Sequence, residues 1–128
     1  MLTLLALGAC ATPSEPICRA PLKPAIEVDL YFGRDIGGRA EVSDADWVEF
    51  LADEVTPRFP DGLSVSEVSG QYREPGGRII HERGKRLVVV VFDAPAHAGK
   101  IRAIVDTYKT RFGQHSLLRV ERSICAGL

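Results

Sequence analysis

Side chains that could bind a ligand or transfer a proton occur in two places in this sequence. Tyr31 and Arg34 come first, and Tyr72, His81 and Glu82 lie on a later predicted hairpin. A histidine beside a carboxylate can perform general acid–base chemistry, but only inside a cleft that tunes their pKa values. The sequence shows no such cleft, so exposed polar residues are the simpler interpretation. We keep these five residues as a candidate ligand or partner surface.

A second group of residues could hold an anion. Gly37-Gly38 lies between a predicted strand and a predicted helix, with Arg34 and Arg39 beside it. Backbone amides at a helix N-terminus can bind an anion, but the spacing matches neither a dinucleotide-binding nor a P-loop motif. A plain connection is therefore favoured. The three histidines of the chain show no zinc-ligand spacing. We predict no metal site and no cofactor, and the catalytic residues stay unknown.

The first residues have the features of an export signal. Residues 1–9 are apolar and uncharged, and small residues precede Cys10. The stretch Leu7-Gly8-Ala9-Cys10 resembles the lipobox of bacterial lipoproteins, whose cysteine is acylated. The positively charged residues that usually begin a signal peptide are missing. The alternatives are therefore a start codon placed too late, or a chance cysteine in an unstructured or core-packing N-terminus. We predict a signal-like segment at 1–9, lipidation of Cys10 and a tether over 10–24.

The remaining cysteines are Cys18 and Cys125, one near each end of the folded part. Export leads to an oxidising compartment, where such a pair usually forms a disulfide. A bridge that closes a loop of this size would stabilise the domain by roughly 4 kcal/mol. Two unrelated buried thiols are the alternative. Ala11 is not the acidic residue associated with inner-membrane retention, so we expect a periplasm-facing protein on the outer membrane.

The composition is that of a globular domain. The chain has 128 residues, of which 45% are hydrophobic and 26% charged, with a formal net charge of −1. These values exclude a disordered chain and a multi-span membrane protein. There is neither a basic stripe nor an aromatic ribonucleoprotein motif, so we predict no nucleic-acid partner. We expect a single domain over 25–128.

Alternating and helical patterns predict six main elements in that domain. Ile26, Val28, Leu30 and Phe32 alternate with polar residues as in a half-buried strand. A helix is expected from Ser43, with Asp46 completing a capping box, up to Pro57. The other four are a strand over 63–73, a return strand over 78–92 with a bulge at Gly84-Lys85, a helix from Asp93 to a Gly113 cap, and a strand over 116–124.

The order strand, helix, strand, strand, helix, strand predicts an α+β, ferredoxin-like sandwich. Its antiparallel sheet carries both helices on one face, and its first and last strands are neighbours. That arrangement brings Cys18 and Cys125 toward each other. It is a second argument for the disulfide, independent of the argument from export.

The sheet face away from the helices is the predicted functional surface. On the first strand it should carry Glu27, Asp29 and Tyr31, and on the last strand Leu117, Arg119 and Glu121. The return strand is apolar on both faces, so valines should point to this side too. Burial under the tether or in a homodimer is favoured over a small-molecule pocket.

From Val28 onward the sequence resembles a family of small bacterial secreted proteins catalogued as domain of unknown function 3574. The resemblance lies in these stretches: Leu30-Tyr31-Phe32-Gly33; Glu54 to Leu63, which includes Thr-Pro-Arg-Phe-Pro-Asp-Gly-Leu; Gly70-Gln71-Tyr72; Glu82 with Lys85; and Tyr108-Lys109-x-Arg111-Phe112-Gly113-Gln114. Gly84 stands where serine is expected. The resemblance implies an exported, often lipid-anchored protein and no established activity.

Two functions are consistent with these observations. The first is a non-enzymatic, lipid-anchored binding or interaction module with an unidentified protein partner. The second is a small enzyme or ligand-binding protein that uses the open sheet face, in analogy to dimeric alpha/beta-barrel monooxygenases. In either case the membrane is reached through Cys10, and the enzyme question leans toward no.

Overall fold

The computed structural model describes residues 15–36 and 40–128. The six strands are β1 Lys23–Gly33, β2 Asp35–Ile36, β3 Ala40–Glu41, β4 Ser64–Arg73, β5 Ile79–Val91 and β6 Leu118–Ala126. The two helices are α1 Asp44–Phe50, which continues as a π-helical turn over Leu51–Val55, and α2 His97–Phe112.

Four strands form one antiparallel sheet in the order β4-β5-β1-β6. The strand order and the two crossing helices are those of the ferredoxin-like fold, which confirms the predicted class. In the register Leu30 lies opposite Leu87, and Val28 lies opposite Val89. These four side chains are buried, so they define the face of the sheet that the helices cover. We call the other side the open face.

The core between the sheet and the helices is centred on aromatic side chains. Phe32 packs edge-on against Tyr108 with 4.6 Å between ring centroids, and against Trp47 at 5.1 Å. Phe50 also contacts Tyr108, at 5.1 Å. Such edge-to-face pairs add stability beyond the area they bury. Trp47 and Phe50 of the first helix therefore face the core.

Capping residues mark the start of α1 and the end of α2. Ser43 accepts a hydrogen bond from the backbone of Asp46, and the Asp46 carboxylate accepts one in return, so the predicted capping box is confirmed. Gly113 closes α2 in the left-handed conformation at φ 62°. The start of α2 was predicted too early. Asp93 to Ala96 form a turn closed by the Ala96 amide on the Asp93 carbonyl at 2.7 Å, and the helix begins after it.

Two features of the sheet differ from the sequence prediction. The connection between the first strand and α1 contains the short antiparallel hairpin β2–β3. In its backbone register Asp35 lies opposite Glu41. The bulge predicted at Gly84 is absent, because β5 stays in continuous register with β4 and β1 through that residue. Gly84 instead forms part of the floor of a cleft on the open face.

The faces of β6 are the reverse of the prediction. Leu118, Val120 and Arg122 lie opposite Tyr31, Asp29 and Glu27, and so belong to the open face. Arg119 and Glu121 lie opposite Leu30 and Val28, on the side of the helices, and Leu117 precedes the strand. β6 is an edge strand, and its helix side contacts the start of α2 through a His97–Glu121 pair rather than an apolar core. A polar core side is why alternation alone misassigned this strand.

A disulfide joins Cys18 to Cys125, as predicted. Cys125 lies opposite Pro24 at the start of β1, so the bridge fastens the segment before β1 to the end of β6. The signal-like segment, Cys10 and Gly37-Gly38-Arg39 lie outside the described residues. In the part of the chain that is described, neither helix is long and apolar enough to cross a bilayer.

Candidate ligand-binding cleft

Three glycines form the floor of a cleft at one end of the open face. Gly33 lies opposite Gly84 in the β1–β5 pair, and Gly84 lies opposite Val68 on β4. Gly70, two residues further along β4, lies opposite Glu82. Side chains on one face of a strand recur every second residue. Three neighbouring positions of the open face are therefore glycines and have no side chain. The resulting depression has a volume of about 640 Å³.

The walls of the cleft combine aromatic, apolar and polar groups. Tyr31 and Leu118 stand on the β1–β6 side, while Val68 and Tyr72 stand on the β4 side. The loop after α2, from Gln114 to Leu117, supplies the remaining wall. Tyr72 is half exposed, so one face of its ring is open to a ligand. Two tyrosine rings at a glycine floor suit a flat, partly apolar molecule.

The carboxylate of Glu82 lies directly above Gly33. A Cβ atom placed on Gly33 would come within 2.2 Å of Glu82 Oε1, so only glycine leaves room for the carboxylate in this position. Within residues 15–36 and 40–128, the side chain of Glu82 makes no hydrogen bond and no ion pair. A partly buried carboxylate with free lone pairs is a group that can accept a ligand's hydrogen bond or balance its positive charge.

Helix α2 and the loop that follows it hold the end of β1 in place beneath the cleft. The Tyr108 hydroxyl donates a hydrogen bond of 2.7 Å to the Gly33 carbonyl, and the Gln114 amide donates one of 2.6 Å to the Asp35 carbonyl. Burial raises the pKa of Tyr108, and the negative charge of Glu82 adds to the shift although Arg34 opposes it. The hydroxyl therefore stays protonated and remains a donor to the strand end.

The opposite face of the same strand ends carries a network that we call the ionic cluster, made of Arg34, Lys85, Glu41, Asp44 and Glu67. Arg34 and Lys85 are only 3% and 6% exposed. Arg34 lies 3.0 Å from Asp44 and 3.3 Å from Glu41, and Lys85 contacts both Asp44 and Glu67. The hydrogen bond from Lys85, helped by the charge of Arg34, lowers the pKa of Asp44. The cluster fastens the β2–β3 hairpin and the start of α1 to the sheet.

The centre of the open face carries a separate set of charges, which we call the charge ladder: Glu27, Asp29, Arg86 and Arg122. Asp29 accepts hydrogen bonds of 2.8 and 3.2 Å from Arg86 on β5, and a further one from Arg122 on β6. Arg122 also pairs with Glu27, which raises the pKa of its guanidinium. Cross-strand charge pairs on the first and last strands were predicted, but their partner is Arg122 instead of Arg119.

The structure brings together three of the five residues that the sequence singled out. Tyr31, Tyr72 and Glu82 line one cleft. Arg34 instead belongs to the ionic cluster on the other face. His81 lies four residues from Lys85 on the same strand, so it projects to the helix side, away from the cleft. The sequence reading missed the glycine floor, although Gly33, Gly70 and Gly84 all fall on open-face positions of their strands.

One further titratable pair lies at the other end of the molecule. His97 begins α2, is buried, and approaches Glu121 with 3.3 Å between Nε2 and Oε1. Burial works against the shift, but Arg119 and His97 together lower the pKa of Glu121. Among the residues that the structure describes, no three His, Cys, Asp or Glu side chains are arranged to hold a metal ion.

A comparison with family models decides where the chain belongs. Residues 27–127 match the family described as "Protein of unknown function (DUF3574)". The chain belongs to this family. The match runs from Glu27 in β1 to the end of β6, and it covers the whole cleft, the ionic cluster and the charge ladder. No curated protein matched this member of the family.

Two solved structures share the fold of this DUF3574 member. One is a phage SAM lyase in complex with S-methyl-5′-thioadenosine, with a TM-score of 0.60 and 18% identity over 80% of this chain and 90% of that one. The other is a phage SAM lyase in the apo state, with a TM-score of 0.62 and 13% identity over 88% of this chain and 92% of that one. At these identities the likeness establishes the fold alone.

Proposed function

We propose that this protein is an exported small-molecule-binding domain whose ligand carries a positively charged group next to a flat ring. The observation that carries the proposal is Glu82, a carboxylate without an ion pair in the described chain that lies on a glycine floor. An anionic group kept free of internal partners, in a concave site, is available to a cationic ligand.

The tyrosines support the same ligand class. Tyr31 and Tyr72 line opposite sides of the floor; Tyr72 is half exposed, and the Arg86 guanidinium lies 5.9 Å from the centre of the Tyr31 ring. Aromatic faces attract cations and stack with planar heterocycles. One solved structure of the same fold is described as holding S-methyl-5′-thioadenosine, a nucleoside thioether. A nucleoside linked to a cationic centre would place its ring between the tyrosines and its charge above Glu82.

Calorimetric titration of the full chain tests this ligand class. The probes are S-adenosylmethionine, which has a sulfonium and an ammonium group, and S-methyl-5′-thioadenosine, which shares the nucleoside but has no positive charge. We expect the charged probe to bind about 10-fold more tightly, because it alone can pair with Glu82. Glu82→Gln should remove that preference and leave the affinity for the uncharged probe nearly unchanged.

The matched control is Glu74→Gln, at the turn between β4 and β5. Glu74 is a carboxylate paired with Arg78 at 2.9 Å and does not line the cleft. Its loss should leave both affinities unchanged. Equal affinity of the wild type for the two probes, or equal effects of the two substitutions, would contradict the role of Glu82. A protein that binds neither probe would refute the proposed ligand class.

Export and lipid attachment form the second part of the proposal. The disulfide between Cys18 and Cys125 suits an oxidising compartment, and the residues before Cys10 have the order of a lipoprotein signal. We propose that Cys10 is lipidated and holds the domain at the periplasmic side of the outer membrane. Cys10→Ser should move the protein from the membrane fraction to the soluble fraction, and unchanged fractionation would disprove the anchor.

The free carboxylate also favours a second candidate function, an enzyme that acts on the same ligand class. A partly buried carboxylate without an ion pair can accept a proton from a bound substrate. Mass spectrometry of S-adenosylmethionine incubated with the protein would detect turnover. Product that forms with the wild type and is lost with Glu82→Gln would favour the enzyme. Binding without any product would favour the binding domain.

A further inference from the structure

The open face exposes apolar side chains along its length. Val90 on β5 is 41% exposed and Leu118 on β6 is 60% exposed. Val88 lies opposite Asp29, and Val120 lies opposite the same residue from the other side. The predicted valines of the return strand are therefore on this face. In the described chain no helix or loop covers them, since both helices pack on the other side of the sheet.

The charges at the centre of the open face, away from the cleft, neutralise one another. Asp29 is only 1% exposed although it lies on an uncovered face, because Arg86 and Arg122 close over its carboxylate. The charge ladder contains two carboxylates and two guanidinium groups, so its net charge is zero. Burying an unpaired charge at an interface is costly, whereas a paired and hydrogen-bonded set can be covered at much lower cost.

The size of the face matches that of a stable interface. Strand β1 has eleven residues, which corresponds to a length of about 35 Å, and four strands span about 19 Å. The face spans roughly 650 Å² per copy, the cleft included, which is close to the roughly 800 Å² that each partner buries in a standard protein–protein interface.

We propose that the open face is the interface of a homodimer, with a second copy of this chain stacked face to face on it. A two-fold axis requires a surface that is complementary to itself. The charge ladder meets this requirement, because Glu27 and Arg122 have opposite charges and are both partly exposed. Each can pair across the interface with its opposite in the second copy, while the valines pack between them.

The dimer adds a wall to the cleft. Tyr31, Glu82 and the glycines of the floor all lie on the open face, so the cleft opens toward the second copy. The stacked sheet would then form a further wall of the cleft that holds the Glu82 carboxylate. The dimer itself requires no ligand, so its test is independent of the ligand-binding proposal.

Sedimentation equilibrium of the full chain with Cys10→Ser, which cannot be lipidated, measures the assembly. We expect a mass of twice 14.0 kDa and a dissociation constant of about 1 μM, at the weak end of the range for interfaces of standard size. Val90→Arg places a charge within the interface and should weaken the dimer on the order of 100-fold. Val48→Arg makes the same change on α1, at a valine that is 64% exposed on the helix side, and should leave the dimer intact.

Each outcome decides the proposal. A wild-type protein that stays a monomer at about 100 μM would overturn it, as would an assembly of more than two copies. A monomer would be the result if residues 1–14 cover the face instead. Equal effects of Val90→Arg and Val48→Arg would also overturn it. If circular dichroism shows that Val90→Arg is unfolded, Val90→Gln replaces it, with an expected loss of about 10-fold.

Discussion

The same ends of β1 and β5 present opposite chemistry on their two faces. Gly33 and Gly84 face the cleft, and the very next residues, Arg34 and Lys85, face the helices. On the helix side two buried cations are surrounded by three carboxylates. On the open side one carboxylate, Glu82, lies over bare backbone. Strand alternation therefore separates two electrostatic environments by the thickness of one sheet.

Under the proposed function, this difference separates the charges that stabilise the fold from the one that binds the ligand. In the ionic cluster each acidic group has a cationic partner, so its charge is used to join the β2–β3 hairpin and α1 to the sheet. Glu82 is held in place by the absence of a side chain at Gly33 rather than by a partner charge. Loss of a charge in the ionic cluster should therefore change stability, and loss of the Glu82 carboxylate or of its position should change ligand binding.

The largest effect is expected from Arg34→Met. The change keeps much of the side-chain volume but removes the guanidinium, which is paired to Asp44 and also donates a 2.8 Å hydrogen bond to the Val42 carbonyl. We expect the free energy of unfolding, measured with urea, to fall by about 3 kcal/mol. Arg78→Met is the control, because Arg78 is exposed and pairs only with Glu74 on its own turn. If both variants lose the same stability, the ionic cluster has no special role.

The next effect is expected from Gly84→Ala. A Cβ atom there would lie 2.8 Å from the Phe32 carbonyl oxygen and 3.2 Å from Val68 Cγ2, so the backbone of β1 would have to move. We expect a loss of about 2 kcal/mol in the free energy of unfolding. Gly70→Ala, on the same floor, would meet nothing within 4 Å and should cost far less. Equal thermal stability of these two variants would show that the glycine at position 84 is not required for strand packing.

Gly33→Ala should separate binding from stability. Its Cβ atom would meet only the end of the flexible Glu82 side chain, at 2.2 Å from Oε1, which can rotate away. The free energy of unfolding should change by less than about 1 kcal/mol. The affinity for S-adenosylmethionine should nevertheless fall about 10-fold, or about 1.4 kcal/mol, because the carboxylate leaves its position. Calorimetry that finds unchanged affinity would break the contrast between the two faces.

The smallest effect depends on pH and concerns Asp44. Its folded-state pKa lies below the ordinary value of 3.8, chiefly because of the hydrogen bond from Lys85. A lowered folded pKa stabilises the protein above the unfolded value, and that contribution is lost as the pH falls through the folded value. Asp44→Asn should therefore be less stable than the wild type at neutral pH, and the difference should disappear in acid below pH 3.8. Urea unfolding of both proteins across that range measures it, and a constant difference would contradict the assigned pairing.

Much of the fold was readable from the sequence because local patterns and topology agreed. The alternation from Ile26 to Phe32 placed Glu27, Asp29 and Tyr31 on the open face, and the strand order then placed Cys18 next to Cys125. Ser43 and Gly113 marked helix ends because their capping chemistry is local. These features depend on neighbours in sequence or on a single topological rule.

The parts that were missed depend on distant contacts. Alternation fixes that Leu118 and Arg119 point to opposite sides, but not which side is the core, and the polar contact of Glu121 with His97 reverses the simple expectation. Arg34 was predicted to contact a ligand or partner, but in the fold its guanidinium pairs with Asp44 and Glu41. The cleft itself needed the register, since only the pairing of Gly33 with Gly84 shows that the glycines lie side by side.

The disulfide also decides how tension would pass through the molecule. A pull on the chain before Cys18 loads a covalent bond to Cys125 instead of the hydrogen bonds between β1 and β6. The cleft is built at the other end of β1, eleven residues and about 35 Å away. Tension applied between the chain before Cys18 and the residues after Cys125 would therefore be carried by the disulfide, and the cleft at the far end of β1 does not lie on that path.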